Sequence, residues 1–172
     1  MSKHELRSWI APLAAGLVLV LWGSVPAQAC NGLMVTIGGT NGDDTIFGTT
    51  GADVIDSYLG NDQVYASGGD DSICAGGGND YVDAWTGNDY IGGFPGVDTL
   101  LGYSESDVIA GHDDSDYVYG ESGNDEIYGG PGDDPCVNGG SETDTVNGRE
   151  GSDTCYDPQG GTYASCETIA VC

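Results

Sequence analysis

"GNDYVDAWTGNDYIGG", Gly78 to Gly93, repeats its opening letters nine residues on, with Gly-Asn-Asp-Tyr at Gly78 and again at Gly87. A recurrence this short separates two readings: an acidic, glycine-rich linker, or a metal-dependent coil in which each beat is one structural unit. With the aspartate as phase marker, nine-residue units run outward unbroken from Gly39 to Val137. Asn138 enters as a one-residue insertion, and two more units follow from Gly139 to Tyr156. The sixth position is aspartate in all thirteen units: Asp44, Asp53, Asp62, Asp71, Asp80, Asp89, Asp98, Asp107, Asp116, Asp125, Asp134, Asp144 and Asp153. A random linker does not hold phase in this way.

The eighth position reads Ile46, Ile55, Val64, Ile73, Val82, Ile91, Leu100, Ile109, Val118, Ile127, Cys136, Val146 and Cys155. One inward aliphatic residue between two outward side chains is a minimal strand. The fourth position is glycine in ten of the thirteen units, with Glu105, Asp114 and Glu142 as departures, and the first is glycine, alanine or serine throughout. Those residues tolerate turns and close backbone approach. Each unit therefore predicts a six-residue turn and a three-residue strand, too small to bury anything alone, so the units must stack.

The first residues stand apart from this pattern. Lys3 and Arg7 precede an apolar run from Trp9 to Trp22, and Ala27 and Ala29 hold the small-residue positions before a cut. Residues 1–29 thus predict a secretory leader, cleaved after Ala29, and the run is shorter than the roughly 20 residues a membrane-spanning helix needs. Cleavage there leaves Cys30 first, which raises a lipid-anchored form. "AQAC" lacks the larger apolar residue usual before a lipidated cysteine, and acylation of Cys30 would strand one of Cys74, Cys136, Cys155, Cys166 and Cys172. Six cysteines in an exported chain predict disulfides and a secreted, extracellular protein.

Charge constrains partners most strongly. Of 3 basic and 28 acidic residues, the leader holds Lys3, Arg7 and Glu5, so the mature chain keeps Arg149 against 27 acids, a formal charge of −26. Such a chain repels nucleic acid, and with 29 of the 31 glycines it stays disordered unless a cation neutralises it.

"GGGNDYVDA", "GESGNDEIYGGPGDD" and "GTTGADVID" resemble the RTX nonapeptide, the calcium-binding repeat of the parallel β-roll. The resemblance covers Gly39 to Tyr156 and implies an all-β, right-handed parallel β-roll in which two units make one coil and the turns lie on two opposite edges. It further implies Ca²⁺ between turns stacked on one edge, held by the sixth-position carboxylates and by backbone carbonyls. The chemistry agrees: Ca²⁺ takes six to eight hard oxygens in irregular geometry, whereas zinc prefers thiolate or imidazole, and His112 is the one histidine outside the leader. Gaps between alternate units allow at most eleven ions, bringing +22 against −26. Glu105, Asp114 and Glu142 predict either strained turns in their units or a further carboxylate joining the shell there.

Residues 30–38 and 157–172 flank the roll as caps bearing cysteines, with Ile37 as a degenerate first rung and Tyr163, Ile169 and Val171 closing the last coil. Cys136 and Cys155 fall at inward positions of stacked strands, about 4.8 Å apart, which predicts their disulfide. By elimination Cys166 pairs with Cys172 and Cys30 with Cys74.

Rings at the second position, Tyr58, Trp85, Phe94 and Tyr103 with His112 after them, predict Trp85 above Tyr103 on one edge and Phe94 above His112 on the other. Ring stacking that shields the turns explains them, and a ridge that grips an extracellular glycan or cell-envelope partner is the second reading. His112 lacks a nucleophile motif around it, and paired acids occur at most beats, so no catalytic constellation stands out. The third position lacks the threonine row of an ice-binding face. The expectation is a non-catalytic protein that folds as it captures calcium.

Overall fold

The computed structural model describes residues 30–170 and 172, so the leader lies outside the described residues, as does Val171. The described chain is all strand and turn. In order the strands are β1 (Ile37–Gly38), β2 (Thr45–Phe47), β3 (Val54–Asp56), β4 (Gln63–Tyr65), β5 (Ser72–Cys74), β6 (Tyr81–Asp83), β7 (Tyr90–Gly92), β8 (Thr99–Ser104), β9 (Val108–Ala110), β10 (Tyr117–Ser122), β11 (Glu126–Pro131), β12 (Cys136–Asn138), β13 (Thr145–Glu150), β14 (Thr154–Tyr156), β15 (Thr162–Ala164) and β16 (Thr168–Ile169). Odd strands form one eight-stranded sheet and even strands the other, every pairing parallel.

Alternation between sheets makes two units one coil of a parallel β-solenoid. Ile55 pairs with Ile73 and Val64 with Val82, eighth position on eighth position. The core is the column these residues make: Ile55, Val64, Ile73, Val82, Ile91, Leu100, Ile109, Val118 and Ile127 are all fully buried. First-position Ala66, Ala75 and Ala84 fill the column's sides. Seventh-position amides carry the ladder round the corner, as where Tyr81 donates to the Asp62 carbonyl and Tyr117 to that of Asp98.

Pro135 breaks that rule, because it has no N–H to give. Two residues, Pro135 and Cys136, fill the space of one, so Cys136 pairs with Tyr117 and Val137 takes the inward rung against Val118 and Cys155. The extra residue is therefore a bulge before Val137, not an insertion at Asn138, and Cys136 is not an inward eighth-position residue. The disulfide expectation fails for the same reason. Cys136 joins Cys172, with Cα atoms 5.6 Å apart, and inward Cys155 joins Cys166, 5.9 Å apart, in place of Cys136–Cys155 and Cys166–Cys172. Cys30 pairs with Cys74 as expected, 5.7 Å apart.

Both ends continue the sheets. Ile37 lies in register with Ile55, and Val146 with Tyr163, so β1 and β15 are further rungs. Tyr163 and Cys166 pack against the core, whereas Ile169 is 64 % exposed and covers nothing.

Candidate metal centres

From the third unit onward each turn carries two residues in the left-handed region. The second positions from Tyr58 (φ 71°) to Arg149 (φ 75°) and the fourth positions from Gly60 (φ 132°) to Gly151 (φ 142°) all have positive φ. Fourth-position glycine answers to two constraints. At Gly78 and Gly96 a Cβ would stand 1.8 and 1.7 Å from the carbonyl oxygen of the turn one coil earlier, and φ there is +133° and +144°. Glu105, Asp114 and Glu142 keep the same turn by shifting φ to 73°, 78° and 79°, where an L-residue fits better. The two glutamates also serve the neighbouring coil, Glu105 accepting from the Gly87 N–H and Glu142 from the Gly123 N–H. The turn therefore continues through these units, with the expected strain held as positive φ at Glu105, Asp114 and Glu142.

Eleven non-glycine residues hold positive φ within these turns: Tyr58, Ser67, Trp85, Phe94, Tyr103, Glu105, His112, Asp114, Glu121, Glu142 and Arg149. At about 1–2 kcal/mol each, the strain is about 10–20 kcal/mol, comparable to the whole stability of an ordinary domain. A conformation this costly persists only where something else in the structure enforces it.

The sixth-position aspartates are nearly all buried, and their two oxygens do different work. Oδ1 accepts the backbone N–H of the aspartate one coil earlier, so Asp80 receives from Asp62, Asp98 from Asp80, and Asp107 from Asp89, at 2.7 to 2.8 Å. Glu167 ends this ladder by accepting from Asp153. Oδ2 is enclosed and without a hydrogen-bond partner in Asp62, Asp71, Asp80, Asp89, Asp98, Asp107, Asp116, Asp125, Asp134, Asp144 and Asp153. Buried polar atoms are normally partnered, so eleven orphans of one kind need a common cause.

Asp44 and Asp53, also expected as ligands, differ. Their Oδ2 atoms accept from the backbone N–H and the hydroxyl of Thr40 and of Thr49. Threonine holds the second position in these two units alone, a signal that spacing by aspartate did not register. A fifth-position ladder also escaped the sequence reading: the Asn61 side chain accepts from the Asn79 N–H, and that of Asn79 from the Val97 N–H.

Each orphan oxygen from Asp98 onward faces a cradle kept open by first-position glycine. A Cβ on Gly93 would lie 2.4 Å from Asp98 Oδ2 and 2.7 Å from the Gly111 carbonyl oxygen, and one on Gly111 would meet Asp116 Oδ2 and the Gly129 carbonyl at 2.3 and 2.5 Å. Carboxylate and carbonyl oxygens thus converge where no side chain intrudes. Burial pushes these carboxyls up, Asp71 and Asp80 to about 6, Asp89 and Asp98 to about 7, and Asp107 and Asp116 to about 8, the ladder N–H bonds pulling the other way. Asp125 and Asp134 rise to about 6 for the same reason. Among the described residues no three His, Cys, Asp or Glu side chains gather at one point, so any hard cation here must draw on backbone oxygen as well.

Of the aromatic pairs, Phe94 stacks on His112 with centroids 4.7 Å apart. Trp85 and Tyr103 do not stack among the described residues; Trp85 is 57 % exposed, and its indole lies beside the Asp83 carboxylate. No described helix is long and apolar enough to cross a membrane.

No curated protein matches the chain significantly. A family model for the RTX calcium-binding nonapeptide repeat matches residues 38–73, 58–91, 65–100, 92–127, 113–134 and 137–156. These matches span the coils that carry the orphan oxygens, and the chain belongs to the family of RTX calcium-binding nonapeptide-repeat proteins.

Proposed function

We propose that this is an exported, non-catalytic calcium-binding roll in which the eleven aspartates from Asp62 to Asp153 each present Oδ2 to a Ca²⁺ held between turns of one edge. The observation that carries the reading is the set of enclosed, unpartnered Oδ2 atoms beside converging carbonyls. Six of these residues, Asp62, Asp80, Asp98, Asp116, Asp134 and Asp153, follow one edge; Asp71, Asp89, Asp107, Asp125 and Asp144 follow the other. Asp44 and Asp53 are closed by threonine and stand outside the set. Backbone carbonyls of the stacked turns complete the shell, which suits a cation that accepts irregular oxygen coordination.

Binding and folding are one process in this reading. A buried carboxylate without a countercharge opposes the fold, and so does the left-handed strain; a divalent ion offsets both, and its binding free energy becomes folding free energy. Ca²⁺ added to chelated protein at neutral pH should convert a coil-like circular dichroism spectrum to a β spectrum steeply, with up to eleven ions per chain by elemental analysis. Mg²⁺, which keeps its waters and demands octahedral geometry, should not. A chelated sample with unchanged β signal and protease resistance refutes the coupling. Export predicts that the secreted protein begins at Cys30, which terminal sequencing checks.

The non-catalytic part rests on His112, whose Nε2 is enclosed without a partner and whose pKa burial lowers. A second reading, adhesion to an extracellular glycan or envelope partner, is favoured by exposed rings on the even-strand sheet and its edge. Phe47, 67 % exposed, stacks on Tyr65, and Trp85 stands out further along. Calcium-dependent glycan binding lost in Trp85→Ala would support it; a glycan array with no calcium-dependent signal would remove it.

A further inference from the structure

Unit five reads "AGGGNDYVD", the one repeat with glycine at both second and third positions, and it lies on its edge between two units that carry rings there. Gly76 and Gly77 thus leave a rung bare between Tyr58 with Leu59 on one side and Phe94 with Pro95 on the other. The notch this opens is a cavity of about 470 Å³, closed at its inner end by the Cys30–Cys74 disulfide and by Asp56. Its size falls in the range of small-molecule sites, which are mostly apolar with a few placed polar groups.

Asp56 is the placed group. Only 6 % of it is exposed; one carboxylate oxygen accepts the Tyr58 N–H at 3.1 Å, and the other makes no hydrogen bond to a described residue. No lysine or arginine neutralises it, since Arg149, the one Lys or Arg among the described residues, sits over the Tyr128 ring; the one cation a lining residue brings is the α-amino group that cleavage after Ala29 leaves on Cys30, and it is lost above about pH 8. The rings are fixed rather than loose. Tyr58 folds back over Gly38, with Cε2 3.4 Å from where a Cβ would be, and Phe94 covers Gly92 and is backed by His112.

We propose that this notch binds a small organic cation, an alkylated ammonium, with its charge on Asp56 and its apolar surface between Tyr58 and Phe94. Three observations select that class. A bare metal ion would find a single carboxylate and an apolar wall, far short of the oxygens it needs. A sugar would find Asn41, Asp56 and the Tyr58 hydroxyl as the only polar side-chain groups among the lining residues, too few for its hydroxyls. An alkylated ammonium needs little beyond aromatic faces and one countercharge, because ring faces attract cations within about 6 Å and gain when water is excluded. The strongly negative chain also concentrates cations around itself.

The inference needs the folded roll but not the assignment of calcium ligands, so the test is run on the mature chain in saturating Ca²⁺ at about pH 9, where the Cys30 α-amino group is mostly neutral, after circular dichroism has shown the β spectrum. Phenyltrimethylammonium is titrated calorimetrically at about 0.15 M salt, where the Debye length of about 8 Å screens the general field. The expected result is one saturable site with a dissociation constant at or below about 1 mM. The uncharged isostere, with carbon in place of the quaternary nitrogen, should bind at least about tenfold more weakly.

Asp56→Asn keeps the acceptor for the Tyr58 N–H and should lose about tenfold in affinity. Gly77→Leu should abolish binding by filling the notch. The Gly77 backbone is not in the left-handed region, and a Cβ there first meets the flexible Leu59 side chain at 3.1 Å, so this variant should keep its fold and its calcium stoichiometry. Absence of saturable binding below about 10 mM overturns the proposal. So does equal binding of cation and isostere, or unaltered affinity in both variants. Failure on any of these arms leaves the calcium titration untouched.

Discussion

Removing calcium should make the roll's stability depend on acid in a direction opposite to that of most proteins. The perturbation is chelation followed by a pH series. In the folded chain without metal, burial raises eight of the sixth-position carboxyls well above 3.8, to about 6 at Asp71, Asp80, Asp125 and Asp134, about 7 at Asp89 and Asp98, and about 8 at Asp107 and Asp116. A folded-state pKa raised above the unfolded one stabilises fully below the unfolded pKa, and that contribution disappears as pH rises through the folded values. The window therefore runs from about 4 to about 8. At pH 5 these eight carboxyls are mostly protonated when folded, whereas an unfolded aspartate is about nine-tenths ionised, so refolding should take up as many as about eight protons per chain. A proton then fills the role of the ion, removing the buried charge and letting Oδ2 donate to the carbonyl sharing its cradle.

The assay is a urea titration of chelated protein at pH 5 and pH 7.5, followed by far-ultraviolet circular dichroism, with proton uptake measured on refolding. The midpoint should be higher at pH 5, while with calcium present the order reverses because protons compete for the same oxygens. A chelated midpoint that rises with pH, or refolding without net proton uptake, would refute the argument that these carboxylates are the instability calcium cures.

Other outcomes are equally specific. Asp98→Asn or Asp107→Asn should lower calcium stoichiometry in elemental analysis, whereas Asp44→Asn, at a carboxylate already satisfied by Thr40, should leave it unchanged. Gly96→Ala should raise the calcium concentration needed for folding by circular dichroism, since its Cβ would stand 1.7 Å from the Gly78 carbonyl oxygen until φ shifts as it does at Glu105, while Glu105→Gly should fold. Peptide mapping should recover Cys136 with Cys172 and Cys155 with Cys166. For separations of 44 and 11 residues, loop-closure entropy assigns about 4 kcal/mol to Cys30–Cys74 and about 3 kcal/mol to Cys155–Cys166, so paired serine variants should fall in that order in urea melts.

The repeat alone determined the strand positions and the inward column, because a nine-residue unit with one aliphatic and one aspartate must stack in phase to bury anything; the two-unit coil came from the resemblance to the RTX repeat. Ile37 as an extra rung was readable from the repeat, and Phe94 over His112 from the repeat together with that two-unit coil. Spacing could not show which oxygens of the thirteen aspartates remain unpaired. That depended on Thr40 and Thr49 reaching back across their own turns, a contact made only once the chain bends. Nor could it show that Glu105, Asp114 and Glu142 shift φ by tens of degrees and keep the turn that glycine makes. The cysteine pairing was lost at Pro135, where one missing N–H moves Cys136 off the inward rung and hands that rung to Val137. The bare rung at Gly76 and Gly77 is written in the sequence, but its meaning is tertiary: a gap becomes a cavity only when Tyr58, Phe94 and the Cys30–Cys74 bridge, far apart along the chain, are stacked around it.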